Sequence, residues 1–232
     1  MLFILYNLSM IKTIDDILNN REVITYLGYA DHIFEMVGYK EHGIRHAKHA
    51  SDRAGYVLKE LGYTVKQQNL ARIAGYLHDV GNMISRTGHA QSGAVMALDL
   101  LRAEGKNIKY TSDIFEVFGA IGSHEDKSMQ PPTDIAAAVI LGDKTDVHFE
   151  RLRTENQYLK DAHSKVVGAC ENSEIQISRE DKEITLQLAI NTKICSIMEY
   201  FEIFTPRMNY CTKACNKLGC NFNFYINGDK FI

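Results

Sequence analysis

The chain has 232 residues, 45% hydrophobic and 24% charged, with a formal net charge of −3. This is the composition of a soluble globular protein of one large domain, with at most a small appendage, and it gives no electrostatic case for a nucleic-acid or membrane partner. Five cysteines, an odd number with no CxxC pair, fit a reducing cytoplasm rather than a disulfide framework.

Residues 1–24 form an N-terminal segment. Its apolar run, Leu2 to Tyr6, lacks a basic flank and is too short for a signal-peptide core or a membrane span. Met10-Ile11-Lys12 reads as a more natural start. Residues 25–165 read as a helical domain with short polar turns. One helix is predicted from about Arg45 to Leu61, with Ala50, Ala54, Val57, Leu58 and Leu61 on one stripe and Gly62 as its stop. The next, about Gln68 to Asp79, carries Leu70, Ile73, Ala74 and Leu77, and Gly81 closes it. A third spans about Ala90 to Ala103, and a fourth, about Ser112 to His124, buries Ile114, Val117, Phe118 and Ile121. Pro131-Pro132 bar helix in the following loop, and a fifth helix starts with Asp134 as its N-cap.

The pattern changes near Gly168. Glu174 to Ser178 and Glu183 to Leu188 alternate with period two about the turn Arg179–Lys182, which predicts a hairpin. A helix from about Lys193 to Leu218 follows, which Pro206 is expected to kink or split, and Phe222 to Ile226 is a last strand. The fold class is therefore mainly α, a helical bundle with a small C-terminal α+β module of ββαβ order at 168–232.

Six side chains continue the inward stripes at helix ends: His46, His78, Asp79, His89, His124 and Asp143. Short turns make successive helices antiparallel, which brings the first five to one end of the bundle. Asp143 is the awkward member, because the nine-residue loop Glu125 to Thr133, with a reach of roughly 30 Å, must cross the bundle to bring it back. Four imidazoles and two carboxylates exceed the needs of one zinc. They suit two adjacent divalent ions of iron, manganese, cobalt, nickel or zinc, with a carboxylate between them.

His42-Gly43-Ile44-Arg45-His46, followed by His78-Asp79-Val80-Gly81 and Gly142-Asp143-Lys144-Thr145-Asp146, resembles the HD-domain superfamily of metal-dependent phosphohydrolases over about residues 40–150. The resemblance implies an HD-type bundle with His46, His78, Asp79 and Asp143 as the core ligands. His89 and His124 stand where two-metal members complete the second site. The HD-GYP branch is matched only in part. The Gly-Tyr-Pro tripeptide is absent, Ser123 stands where a second histidine would be, and Asn82 replaces a lysine, so cyclic-di-GMP hydrolysis is not carried over.

The expected activity is hydrolysis of a phosphate ester, a mono- or diester that includes nucleotides, by a metal-bound hydroxide. Asp79 would bridge or anchor the ions, the histidines and Asp143 would hold them, and Lys144 would orient the phosphate of a small-molecule substrate. Two alternatives stand beside it: a di-iron oxygenase, and a regulatory module that binds a ligand without turnover. His32, His49, His148 and His163 read as caps or satisfied polar groups, and His42 as the same rather than as a ligand to a further metal. Arg86, Lys127 and Arg151 read as solvated surface, and Cys211, Cys215 and Cys220 as buried free thiols. The aromatic run Tyr200, Phe201, Phe204 and Tyr210 reads as core or dimer contact, which leaves a homodimer open.

Overall fold

Residues 13–101, 112–126, 128–154 and 160–232 are described by the structure, a computed structural model; the Leu2–Tyr6 run, the helix end placed near Ala103 and Lys127 lie outside them. Nine α-helices and one four-stranded sheet are present among these residues. Helix α1 (Ile14–Leu18) and α2 (Arg21–Met36) lead into α3 (Ile44–Glu60), α4 (Val65–Leu77), α5 (His89–Leu100), α6 (Ser112–Ser123) and α7 (Asp134–Lys144). A short 3₁₀ turn, Val80–Met83, joins α4 to α5.

The predicted helices form with their stripes turned inward, and local chemistry sets their ends. Thr64 opens α4 in a reciprocal cap with Gln67, three residues earlier than the apolar stripe alone suggests. At α7 the cap is Thr133 rather than Asp134, whose carboxylate accepts from the Tyr63 hydroxyl at 3.1 Å. Gly62 takes φ +82°, the left-handed step that ends α3.

Tyr63 follows the far end of α3, so its bond to Asp134 places the start of α7 away from His46. The loop after α6 does cross the bundle, and α7 then runs back with Asp143 near its C-terminal end. Small residues let these helices approach closely: Ala47, Ala50, Ser51 and Ala54 on α3, Ala71, Ala74 and Gly75 on α4, and Ala136 to Ala138 and Gly142 on α7 are all buried.

Helix α8 (Ala162–Ala169) runs directly into β1 (Cys170–Ser178), which pairs antiparallel with β2 (Glu183–Ile190) in the predicted hairpin. Helix α9 (Ile197–Lys217) then crosses to β3 (Asn221–Ile226), parallel to β2, and a short β4 (Asp229–Lys230) completes the order β1-β2-β3-β4. Pro206 does not split α9, which runs through it as one helix. Pro206 and Glu202 are both exposed, so water can serve the carbonyl that the proline leaves free, while Tyr200, Phe204, Met208 and Tyr210 anchor the helix on both sides. The five cysteines are free and buried. One apolar core runs from Val57, Leu77 and Val139 of the helices through Phe204 to Leu186 and Phe224 of the sheet.

Candidate metal centre

Each of the six predicted residues reaches one buried cluster from a helix end. His46 lies in the first turn of α3, His78 caps the C-terminus of α4, and Asp79 precedes the 3₁₀ turn. His89 is the first residue of α5, His124 follows α6 directly, and Asp143 is next to last in α7. Two glycines permit the approach. A Cβ at Gly81 would lie 2.1 Å from the His89 carbonyl oxygen, and one at Gly142 would lie 2.4 Å from that of Ala50. Any side chain there would drive Asp79 from His89, or α7 from α3.

The histidines share one hydrogen-bond pattern. Nδ1–H of His78 donates to the Gly75 carbonyl (2.8 Å), that of His89 to Arg86 (3.0 Å) and that of His124 to Ile121 (2.7 Å). His46 donates its Nδ1–H to the Asp146 carboxylate at 2.7 Å. A carbonyl can only accept, so the ring proton sits on Nδ1 and the Nε2 lone pairs face inward.

Those lone pairs converge on two carboxylates. Asp79 Oδ2 lies 3.4 Å from His78 Nε2 and 3.8 Å from His46 Nε2, while Oδ1 lies 3.2 Å from His89 Nε2 and 3.9 Å from His124 Nε2. Asp143 Oδ1 is 3.4 Å from His46 Nε2 and 3.9 Å from His78 Nε2. The Nε2 atoms of His46 and His78 are buried without a hydrogen-bond partner among the described residues, and those of His89 and His124 stand 3.1 Å apart. Facing lone pairs repel, and orphaned buried acceptors are costly. A cation meets both deficits. Three overlapping triads, His46–His78–Asp79, His78–His124–Asp143 and Asp79–His89–His124, each bring their ligand atoms within 4.8 Å of one another. The donor set of imidazole nitrogen and carboxylate oxygen fits a divalent transition ion.

The surrounding charges maintain these states. Burial alone would raise the pKa values of Asp79 and Asp143, but the imidazoles around both, and Lys144 beside Asp143, hold them well below the usual carboxylate range. Burial and the neighbouring His78 push His124 down to about 3, which keeps it neutral. His46 differs: burial and Arg151 lower its pKa, yet Asp143 and Asp146 outweigh them and raise it. The excess negative charge that favours a proton there also favours a metal ion.

Lys144 is buried, with Nζ bonded to Asp143 Oδ2 (2.5 Å) and to Glu125 Oε1 (2.6 Å). It holds the outer oxygen of Asp143 and leaves the inner one to the histidines. Arg86 is half-exposed beside the cluster, its Nη1 3.5 Å from His89 Nε2.

Arg151 corrects the sequence reading. It is buried, not solvated, because its guanidinium donates to the backbone carbonyls of Glu41 and Asp146 and closes the site from behind. Asp146 was missed as a functional residue. It is the last residue of the Gly142–Asp146 segment, three after Asp143, and that i, i+3 spacing is the signal that could have found it. Glu125, which follows His124 directly, was missed likewise. Of the other histidines, His148 caps a 3₁₀ turn and His32 lies at the surface beside Glu35, whereas His49 departs from the expected satisfied state, its buried Nε2 having no hydrogen-bond partner among the described residues.

Among the described residues, no helix is long and apolar enough to cross a membrane. A protein of Methanocaldococcus jannaschii described as "Uncharacterized protein MJ1020" is 27% identical over 216 residues, spanning 84% of this chain and 82% of its own length. The model of the HD domain family matches residues 43–162, just over half of the chain, and that span contains all six clustered side chains. With the matched span and the cluster coinciding, the chain belongs to the HD domain family, the superfamily of metal-dependent phosphohydrolases.

Proposed function

We propose that this chain is a metal-dependent phosphohydrolase that cleaves a phosphate ester of a small molecule at a binuclear centre bridged by Asp79. One observation supports this above the others: each oxygen of Asp79 faces its own pair of imidazole nitrogens, His46 with His78 on one side and His89 with His124 on the other. That is the donor arrangement that two adjacent divalent ions require, and iron, manganese, cobalt, nickel or zinc suits it. Ions held there supply Lewis-acid stabilisation of a phosphoryl group and a reactive water-derived nucleophile at neutral pH.

The chain's own contribution is positional and electrostatic. Asp146 and the carbonyls of Gly75, Arg86 and Ile121 fix the four tautomers, so every Nε2 presents a lone pair. Lys144, expected from the sequence to orient the phosphate, acts in this arrangement as a positioning residue that steers Asp143. Arg86, half-exposed beside His89, meets the charge of the incoming phosphate.

The reading is tested on protein purified without chelators and loaded in turn with Mn, Fe, Co, Ni and Zn. At least one form cleaves a phosphomonoester, phosphodiester or nucleotide, binds two metal equivalents and loses activity on chelation. Two bound equivalents without cleavage of any class by any form would sink the hydrolase.

A further inference from the structure

A cavity of about 250 Å³ lies beside the metal centre, and its chemistry is opposite to the centre's. Lys40, His42, Arg86, Asp161, His163 and Arg207 are in its wall. His42 separates the two regions, its ring 5.7 Å from that of His46. Arg86 belongs to both, since it lines the cavity and approaches His89. Arg207 comes from α9 and donates to the Lys144 carbonyl at 3.4 Å, so the C-terminal module builds part of this wall.

Arg86 reaches Glu125 at 3.8 Å, but the other two cations of this wall, Lys40 and Arg207, lack such a partner among the described residues. Lys40 is only 8% exposed, and its ammonium meets an imidazole, His163 Nδ1 at 2.6 Å, rather than a carboxylate. The Arg207 guanidinium also lies over the Phe204 ring at 4.8 Å. Among the described residues Asp161 is the one carboxylate of the wall, and it is engaged in capping α8, accepting from the Ser164 N–H (2.8 Å) and O–H (2.7 Å). Among the described residues, no carboxylate pairs with Lys40 or Arg207. A buried ammonium without a counter-charge, as at Lys40, is unfavourable unless an anion joins it. The strain is visible in the titration: burial, with Arg151 and Arg207 nearby, pushes Lys40 well below its ordinary value. Burial and Lys40 push His163 down to about 3.

We infer that this cavity holds a second phosphoryl group of the substrate, so that the enzyme acts on a compact molecule carrying two phosphates. This rests on the phosphohydrolase reading. One phosphate lies over the His–Asp centre, the other between Lys40 and Arg207, and Arg86 stands between them. An ammonium and two guanidinium groups that converge from separate segments match the several acceptor oxygens of a tetrahedral dianion better than the two of a planar carboxylate. At about 250 Å³ the cavity has room for a phosphoryl group and the few carbons that carry it.

The test begins with inorganic phosphate titrated calorimetrically into chelator-treated protein, in which the metal centre is anionic and repels the probe. Saturable binding is expected, weakened about tenfold in Lys40→Gln and in Arg207→Gln. Both variants are checked for native folding by circular dichroism. In metal-loaded protein, kcat/KM for butane-1,4-diyl bisphosphate should exceed that for butyl phosphate by about tenfold, with the ratio falling toward one in each variant. Absent phosphate binding, or binding that neither variant weakens, overturns the cavity assignment while leaving turnover intact. Phosphate binding without turnover by any metal-loaded form overturns its assignment to a substrate, and with it the hydrolase.

Discussion

Around Asp79 the buried groups are imidazole lone pairs and carboxylate oxygens; around Lys40, one histidine ring away, they are N–H donors that no carboxylate among the described residues receives. The first region is buried and the second opens to the surface; both are rich in titratable groups, and the two are incomplete in opposite senses. The first lacks positive charge and the second lacks negative charge. Buried polar groups are normally satisfied within the protein, so a matched pair of deficits points to a cationic and an anionic ligand side by side. Their origins differ too. The metal centre is made wholly by α3 to α7 and the residues at their ends, whereas the cavity joins the Lys40 loop, the start of α8 and the middle of α9.

The sharpest way to break this contrast is Asp79→Asn. It should reduce bound Mn or Co from two equivalents to at most one, and lower turnover by at least about a thousandfold, since the carboxylate serves both sides of the centre. Metal analysis together with steady-state kinetics checks this; undiminished stoichiometry would remove Asp79 from its bridging role. Asp146→Asn acts only through His46 and should cost about 10–100-fold in metal affinity, read by competition with a chromophoric chelator. An unchanged affinity would show that His46 is oriented by other means.

The cavity side is tested by pH. His163 has a pKa of about 3, depressed by burial and then by Lys40, Arg207 and Arg151, with Asp161 opposing. The unfolded chain therefore takes up this proton near pH 6.5 and the folded chain does not, so stability falls as pH drops from about 6.5 toward 3. His163→Gln should flatten that part of the profile, and its melting temperature should fall a few degrees less than the wild type's between pH 6.5 and 4.5. Parallel curves would mean that His163 is solvated. The smallest effect is expected from Ser196→Ala, which removes the cap of α9 far from both regions. A loss of about 1 kcal/mol in chemical denaturation, with metal stoichiometry unchanged, is predicted.

The helices that carry the centre were legible because their apolar stripes have a clean 3.6-residue period, and the six metal-capable side chains extend those stripes. Antiparallel topology brought five of them together, and only the Glu125–Thr133 crossing needed the structure. That Pro206 leaves α9 unsplit was not legible, because a proline's effect depends on whether its lost bond faces water, which periodicity does not report. Arg151 misled for a related reason. An isolated arginine in sequence looks solvated, and burial becomes tolerable only when carbonyls from distant residues surround it, as those of Glu41 and Asp146 do here.

The sequence alone determined the helical bundle, the β-hairpin, the family resemblance and the residues that gather around His78-Asp79. Each depends on spacing along one segment or on the alternating direction of successive helices. Tertiary structure decided which oxygen of Asp79 faces which histidine, that Asp146 orients His46, and that Lys40, Arg86 and Arg207 share one cavity. Those facts rest on hydrogen-bond direction and on contacts between separate segments, some of them a hundred or more residues apart. No local period encodes them, because the energy that sets them is gained only after the chain has closed on itself.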